Sequence, residues 1–367
     1  VGYSHEDTTM GKFLMVDIGA GTMDVLYFDD ESGLHYKAVV KSPVPHVAEK
    51  AARLPGNLLV TGYEMGGGPV SEVLKNRAKH AEVLMTASAA MTIHHDVERV
   101  RSLGIRVIGD AEAESLRLSN RYSGLSLGDL EVARLKGIVE GFGVELAFDV
   151  VAICAQDHGM PPEGVSHLDY RHNLFKSRLD EVPFPHALIF GEGEVPETFN
   201  RLRSIAKSAE ALPAGEVYVM DSGMAAILGA SMDVQAKRKN RILVLDVATS
   251  HTVGAALENG EIAGFFEYHT HDITLERIEQ LVRDLADGRL EHTRILEEGG
   301  HGAYVRKPFG FQAVEAVVAT GPKRGLLSES RLPILFGAPW GDNMMTGTVG
   351  LLEAVRRRKH LGPFLYL

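Results

Sequence analysis

Apolar residues along this chain gather into short continuous runs that alternate with stretches of helical spacing. Near the start, the runs 13–17, 25–28 and 36–40 are separated only by brief Gly- and Asp-rich signals, which predicts three strands joined by tight hairpins. Between residues 57 and 145 the pattern becomes strand and helix in turn. It predicts strand 58–61, a helix from about Pro69, strand 83–86, a helix over 88–103, strand 105–108 and a helix over about 126–141. The run 149–155 is apolar throughout, as in a strand buried on both faces, and ends at Gln156-Asp157-His158-Gly159. After a Pro-rich stretch, strand 217–220 and a helix of small residues at 222–230 close this half.

A charged linker at 237–241 then resets the pattern. Runs 242–246, 253–257 and 261–268 again read as three strands joined by tight turns, one marked Glu258-Asn259-Gly260. A helix over 273–285, strand 314–320, a Gly-Pro turn, strand 332–336 and a terminal helix over about 344–358 follow. Both halves therefore open on three hairpin-linked strands and continue as strand–helix units, a duplication of element order. The expected fold class is α/β with two lobes. The expected division is a leader or expression remnant at 1–11, a first lobe at 12–236 carrying an inserted α/β segment at about 57–145, and a second lobe at 237–367.

Composition narrows the function classes. The chain of 367 residues carries 38 Lys+Arg against 49 Asp+Glu, a net charge of −11, so it offers no broad basic surface for nucleic acid. No apolar run approaches the roughly 18 residues that span a bilayer, and the opening segment lacks the apolar stretch of a signal peptide. A single cysteine, Cys154, rules out an internal disulfide or a thiolate metal cage, and a cytoplasmic location is expected. Glycine, at 39 residues, exceeds the usual share of about 7% without any repeat, so specific backbone positions must need it.

Chemistry concentrates where the first strand of each half ends. Asp17 is followed by Gly19, Gly21, Thr22 and Asp24. A carboxylate at the end of a buried strand is costly without a partner; glycines let backbone N–H groups approach an anion, and Thr22 adds a hydroxyl. The turn can cradle phosphate while Asp17 holds Mg²⁺, which keeps several waters and takes one or two carboxylates. A tight hairpin with a solvated Asp is the plainer alternative. The second half repeats the arrangement with Asp246, Ala248, Thr249, Ser250 and Thr252. One such loop per lobe, facing across a cleft, would supply two phosphate cradles and two carboxylates for one metal.

These motifs resemble those of the actin-like ATPase superfamily, which includes sugar kinases, heat-shock chaperone ATPases and acetate kinase. Its first phosphate loop, Asp-x-Gly-x-x-Thr, is matched by Asp17, Gly19 and Thr22, with Asp24 alongside. Its second, Asp-x-Gly-x-x-x-Thr, is matched by Asp246 and Thr252, with Ala248 where Gly is usual. The resemblance implies a two-lobed actin-like (ribonuclease H-like) fold, ATP and Mg²⁺ as cofactors, and a small-residue hinge helix matched by 221–230. It also implies an adenosine loop at 319–325, with Gly321 and Lys323. More narrowly, Glu64-Met65-Gly66-Gly67-Gly68-Pro69, Gln156-Asp157-His158-Gly159 and Gly341-Asp342-Asn343-Met344-Met345 resemble a prokaryotic family labelled pyruvate formate-lyase activating enzymes. Radical activation of that kind needs a three-cysteine iron–sulfur site, which one cysteine cannot supply.

Asp157 and His158 stand where open α/β sheets place ligand groups. The resemblance to kinases of the superfamily implies Asp157 as the base for an attacking hydroxyl, or as the group that orients water in an ATPase, with His158 a substrate-binding or tuning group; a polar turn capped by Gly159 is the alternative. Gly66 to Gly68 can present a helix N-terminus to an anionic substrate or form a plain turn. His94-His95-Asp96 falls in an expected helix, where neighbours point apart. His269 and His271, with Asp272, share strand spacing that suits zinc or simply a polar strand end. Lys323 and Arg324 could meet phosphate, and Trp340 could line the cleft or pack between the lobes. The reading is an ATP- and Mg²⁺-dependent phosphotransferase or ATPase with a small-molecule or protein acceptor, and it admits a homodimer. A nucleotide-responsive sensor or assembly partner, and a metal-dependent hydrolase, are the alternatives.

Overall fold

Three antiparallel strands open the chain, β1 (Lys12–Ile18), β2 (Thr22–Asp29) and β3 (His35–Lys41), as the hairpin spacing predicts. The computed structural model describes residues 11–162 and 164–364, so the expected leader, Gly11 apart, lies outside the described residues. Strands β4 (Asn57–Gly62), β5 (Val83–Thr86), β6 (Arg106–Ile108) and β7 (Tyr122–Leu127) then form a separate all-parallel sheet in the order β6-β5-β4-β7. The chain returns with β8 (Phe148–Ala155), β9 (Ile189–Gly191) and β10 (Ala214–Asp221), completing a sheet of order β3-β2-β1-β8-β10-β9. In it β8 lies parallel to β1, and β10 parallel to β8.

The second lobe repeats this plan. Strands β11 (Arg241–Val247), β12 (His251–Glu258), β13 (Glu261–His269), β14 (Gly302–Val305), β15 (Ala316–Thr320) and β16 (Ile334–Phe336) lie in the order β14-β13-β12-β11-β15-β16. Again three hairpin-linked strands, β11 to β13, are antiparallel, with β14 added antiparallel beside β13, and β15 and β16 run parallel to β11 and β15. The two sheets share a five-strand order, three hairpin-linked strands followed by two parallel ones, and differ in the sixth, which lies beside β10 in the first sheet (β9) and beside β13 in the second (β14); the shared order makes this a two-lobed actin-like fold. Each lobe then sends a helix into the space between the sheets, Ser222–Ser231 after β10 and Thr346–Arg358 after β16. The two cross at Gly229 and Gly350, where a Cβ would lie 1.8 Å from the carbonyl oxygens of Thr346 and Ala225 respectively. Trp340 packs between the lobes, edge-on to Phe28 at 5.2 Å.

Several expected elements are corrected. The helix over 88–103 is two pieces, Ala87–Ala90 and Val97–Ser102. Asp96 accepts the N–H groups of Glu98 and Arg99 and so starts the second piece afresh. The helix over 126–141 is confined to Val132–Gly141, because Leu125 and Leu127 are buried on either side of exposed Ser126, the alternation of a strand, and that segment is β7. The Pro-rich stretch holds a helix, His167–Glu181, started by Ser166 accepting from Asp169 N–H. Among the described residues no helix is long and apolar enough to cross a membrane.

Candidate functional site

Asp17 and Asp246 are the penultimate residues of β1 and β11, equivalent positions in the two sheets. Each is met by a donor from the adjacent parallel strand. The Cys154 thiol of β8 donates to Asp17 Oδ1 at 3.2 Å, and the Thr320 hydroxyl of β15 donates to Asp246 Oδ1 at 2.9 Å. The turns that follow are closed alike: Gly19 N–H donates to the Thr22 carbonyl at 2.9 Å and Ala248 N–H to the His251 carbonyl at 3.0 Å. None of Gly19, Gly21 and Ala248 has positive φ, which is why Ala serves where Gly is usual. The loops approach one another, since a Cβ on Gly21 would lie 3.3 Å from the Thr249 side chain.

Between them lies a cleft of about 330 Å³. The first loop contributes Asp17, Gly19, Gly21, Thr22 and Asp24, and the second contributes Asp246 and Thr249. Gly321 closes one end at a φ of +90°, where a Cβ would collide with the Val247 backbone. The cleft is also lined by the Gly66 to Gly68 loop, Gln156, His158 and Arg201. Arg201 grips both oxygens of Asp129 at 2.8 and 2.9 Å, and Asp129 in turn accepts Gly66 N–H at 3.1 Å. The glycine loop is thus pinned beside a guanidinium.

Burial drives the electrostatics. It pushes the Asp17 carboxyl up to about 7, helped by the charges of Asp246 and Asp221 and opposed by the Cys154 thiol. Asp24, 6% exposed, is pushed up to about 8 by burial and by Asp17, and Asp246 to about 6 by burial. Asp24 Oδ1 is buried without a hydrogen-bond partner among the described residues. Cys154 stays a thiol, its pKa raised by burial and by Asp17, and so remains a donor. Such a cluster of carboxylates suits a hard, oxygen-seeking dication. A carboxyl whose folded pKa is raised lends stability below its unfolded pKa near 3.8 and loses it as pH rises through about 8. Asp24→Asn should therefore stabilise the protein in chelator at pH 8, by on the order of 2 kcal/mol, and much less at pH 5. Thermal unfolding at the two pH values checks this; a variant less stable at pH 8 contradicts it.

Other expected site residues sit elsewhere. Asp157 is turned inward and 3% exposed: its Oδ1 accepts Gly159 N–H at 2.8 Å and its Oδ2 accepts Leu202 N–H at 2.9 Å. Both oxygens are committed to holding the loop against the helix Asn200–Ala209, so it does not face the cleft as a base. His158 beside it does: its side chain lines the cleft and is accessible from it, and desolvation by the surrounding protein together with the Arg171 charge pushes its pKa down. Thr252 is fully buried, paired with the Thr270 hydroxyl at 3.0 Å, and Lys323 is exposed outside the cleft. His271 points to solvent beside Asp272, whereas His269 meets His251 and His301. His94 and His95 lie in a turn, with His95 bonded to Glu64 at 2.8 Å.

Glu267 also lines the cleft, and local pattern reveals neither it nor the Arg171 and Asp221 to which it is tied. Arg171 donates to Glu267 Oε2 at 2.6 Å and to Asp221 Oδ2 at 3.0 Å, a buried ion triad joining the end of β10 to β13 of the other lobe.

Residues 65–326 match the model of the family described as "Putative pyruvate format-lyase activating enzyme (DUF1786)". The chain belongs to that family. No curated protein matches it. Among solved structures it is similar to "Lmo2764 protein, a putative N-acetylmannosamine kinase, from Listeria monocytogenes", with 11% identity, 95% of this chain and 99% of that one covered, and a TM-score of 0.36. It is also similar to an actin-like ATPase-fold protein of unknown function from Bacteroides thetaiotaomicron (8% identity, 89% and 90% covered, TM-score 0.33). A third is the ethanolamine utilization protein EutJ from Carboxydothermus hydrogenoformans (12% identity, 94% and 90% covered, TM-score 0.31). In this family member the only cysteine is buried and engaged with Asp17, so the chain itself offers no thiolate set for an iron–sulfur cluster.

Proposed function

We propose that this family member binds a nucleoside triphosphate with Mg²⁺ between its lobes and transfers or hydrolyses the terminal phosphoryl group. One observation carries the reading: two equivalent strand ends, each an Asp followed by a polar turn, converge from two like sheets on one cleft. Asp17, Asp24 and Asp246 are the residues that would hold Mg²⁺, whose chemistry there is to neutralise phosphate charge. The turns at 19–22 and 248–250 would flank the phosphates, and Gly321 would border the base and sugar. Arg201 and the Gly66 to Gly68 loop form the acceptor side, suited to an anionic group. The neutral imidazole of His158 in the cleft lining can accept a hydrogen bond from an acceptor hydroxyl and orient it, its lowered pKa making it a positioning group rather than a strong base.

The inward turn of Asp157 favours a second reading, a nucleotide-responsive sensor or assembly partner, because the carboxylate expected as a base is committed to backbone. Titration calorimetry with ATP and ADP, with and without Mg²⁺, tests the shared premise: Mg²⁺-dependent heat is expected, and its absence for both nucleotides overturns both readings. Phosphate release then divides them. Turnover lost in His158→Ala with affinity kept supports transfer; binding without turnover in the unaltered protein supports the sensor.

A further inference from the structure

The ends of three neighbouring strands in the second lobe bring together histidines that the nucleotide reading does not use. His251 begins β12, His269 ends β13 directly opposite it in the antiparallel register, and His301 immediately precedes β14. One imidazole nitrogen from each lies within 4.8 Å of the others. Nε2 of His301 is 3.0 Å from Nε2 of His269, and Nε2 of His251 is buried with no hydrogen-bond partner among the described residues. A tetrahedral ion with nitrogens at about 2.0–2.1 Å holds its ligands roughly 3.4 Å apart, close to what these strand ends already provide.

The surroundings are those of a metal-binding imidazole set. Glu267, two residues before His269 on β13, places Oε1 3.4 Å from His301 Nδ1. The carboxylate lies near the far nitrogen of His301 without a hydrogen bond to it among the described residues, and a metal held by Nε2 would leave Nδ1–H to face that carboxylate. Glu267 is itself held, by Arg171 at 2.6 Å and by the Gln156 amide. Both His251 and Glu267 line the cleft, and the ring of His158, from the other lobe, is 6.0 Å from that of His251 and 5.7 Å from that of His301.

We propose that His251, His269 and His301 form a three-histidine site for a divalent transition-metal cation of the Zn²⁺ class, with its fourth position open to the cleft on the side of His158. Three neutral nitrogen donors select borderline cations such as Zn²⁺ or Co²⁺ over Mg²⁺, which seeks oxygen. The open position takes water or an oxygen donor of the molecule bound in the cleft, as in three-ligand zinc sites. A cation would also satisfy the orphaned nitrogen of His251, whose burial unpaired is unfavourable. This site differs from the His269, His271 and Asp272 set suggested by strand spacing, because His271 faces solvent with a side chain 72% exposed.

The test uses the full, untagged chain, stripped with chelator and desalted, titrated with Zn²⁺ by calorimetry and with Co²⁺ by visible absorption. One equivalent of each is expected, with the intense bands of tetrahedral Co²⁺, and a large excess of Mg²⁺ should not compete. His269→Ala and His301→Ala should each weaken binding by on the order of 100-fold or more, since loss of even an outer partner costs about 10–100-fold. His271→Ala should leave it within about twofold. Metal-free thermal unfolding of the variants reports their folding, and a rise of the melting temperature with Zn²⁺ should be present in the unaltered protein and absent in His269→Ala. Failure of the unaltered protein to bind one equivalent, unchanged affinity in His269→Ala, or an equal loss in His271→Ala would overturn the proposal. Retention of Zn²⁺ binding in Asp17→Asn is expected as well, which separates this site from the Mg²⁺ reading.

Discussion

Asp17→Asn is expected to lower Mg²⁺–ATP turnover by about 10²–10³-fold while leaving the protein at least as stable at pH 8. The size follows from losing a carboxylate aimed at a metal that offsets phosphate charge, a contribution of several kcal/mol at about 1.4 kcal/mol per decade. The stability half follows from the carboxyl itself. Burial and the nearby Asp246 and Asp221 raise its pKa to about 7, so its stabilising contribution is complete below about 3.8 and gone above about 7. At pH 8 the wild-type protein carries an ionised group in an unfavourable place, and an amide of the same shape removes that burden. The amide oxygen can still accept from the Cys154 thiol, which donates to Oδ1 at 3.2 Å. Activity and stability moving in opposite directions is the mark of a residue kept for function. Phosphate-release kinetics with thermal unfolding at pH 8 measures both. Unchanged turnover, or activity and stability falling together, would make the loop structural.

What the sequence discloses about this site follows from how local each determinant is. Asp17 and Asp246 are legible because a strand ending in Asp and followed by a polar turn is a pattern of a few adjacent residues. The Ala at 248 seemed a departure only because the turn type is not written in the sequence; both turns close by the same backbone hydrogen bond without positive φ. Asp157 reads identically to a cleft carboxylate, but its direction is decided by Leu202, 45 residues later, whose N–H captures Oδ2. The histidine cluster is hidden for the same reason. His269 is visible at the end of a strand, yet His301 reaches it across 32 residues through the pairing of β13 with β14. Cys154 and Thr320 are equivalent donors whose likeness appears only once β8 and β15 lie beside β1 and β11.

Gly229→Ala is expected to be among the most damaging single substitutions in the chain, though it adds one methyl group. That methyl would sit 1.8 Å from the Thr346 carbonyl oxygen and 2.8 Å from its carbon, and the facing Gly350 is as tightly placed against Ala225. These neighbours are backbone atoms of a helix packed between the sheets, so no side-chain rotation relieves the overlap; the helices must separate. Overpacking usually costs about 1–3 kcal/mol and more when backbone must shift, so a loss of about 3 kcal/mol or more is expected. The melting temperature should then fall by roughly 4 °C or more for a chain of this length. Separation would also displace Thr346, which lines the cleft, and weaken binding there. Gly137→Ala supplies the control. Gly137 lies within the helix Val132–Gly141 with open space where its Cβ would go, so the same change there should stabilise by about 0.5–1 kcal/mol. Thermal unfolding of the two variants compares one chemical change in two settings. Shifts of opposite sign are expected from so close a crossing, and equal shifts would mean that the helices do not cross as closely as described.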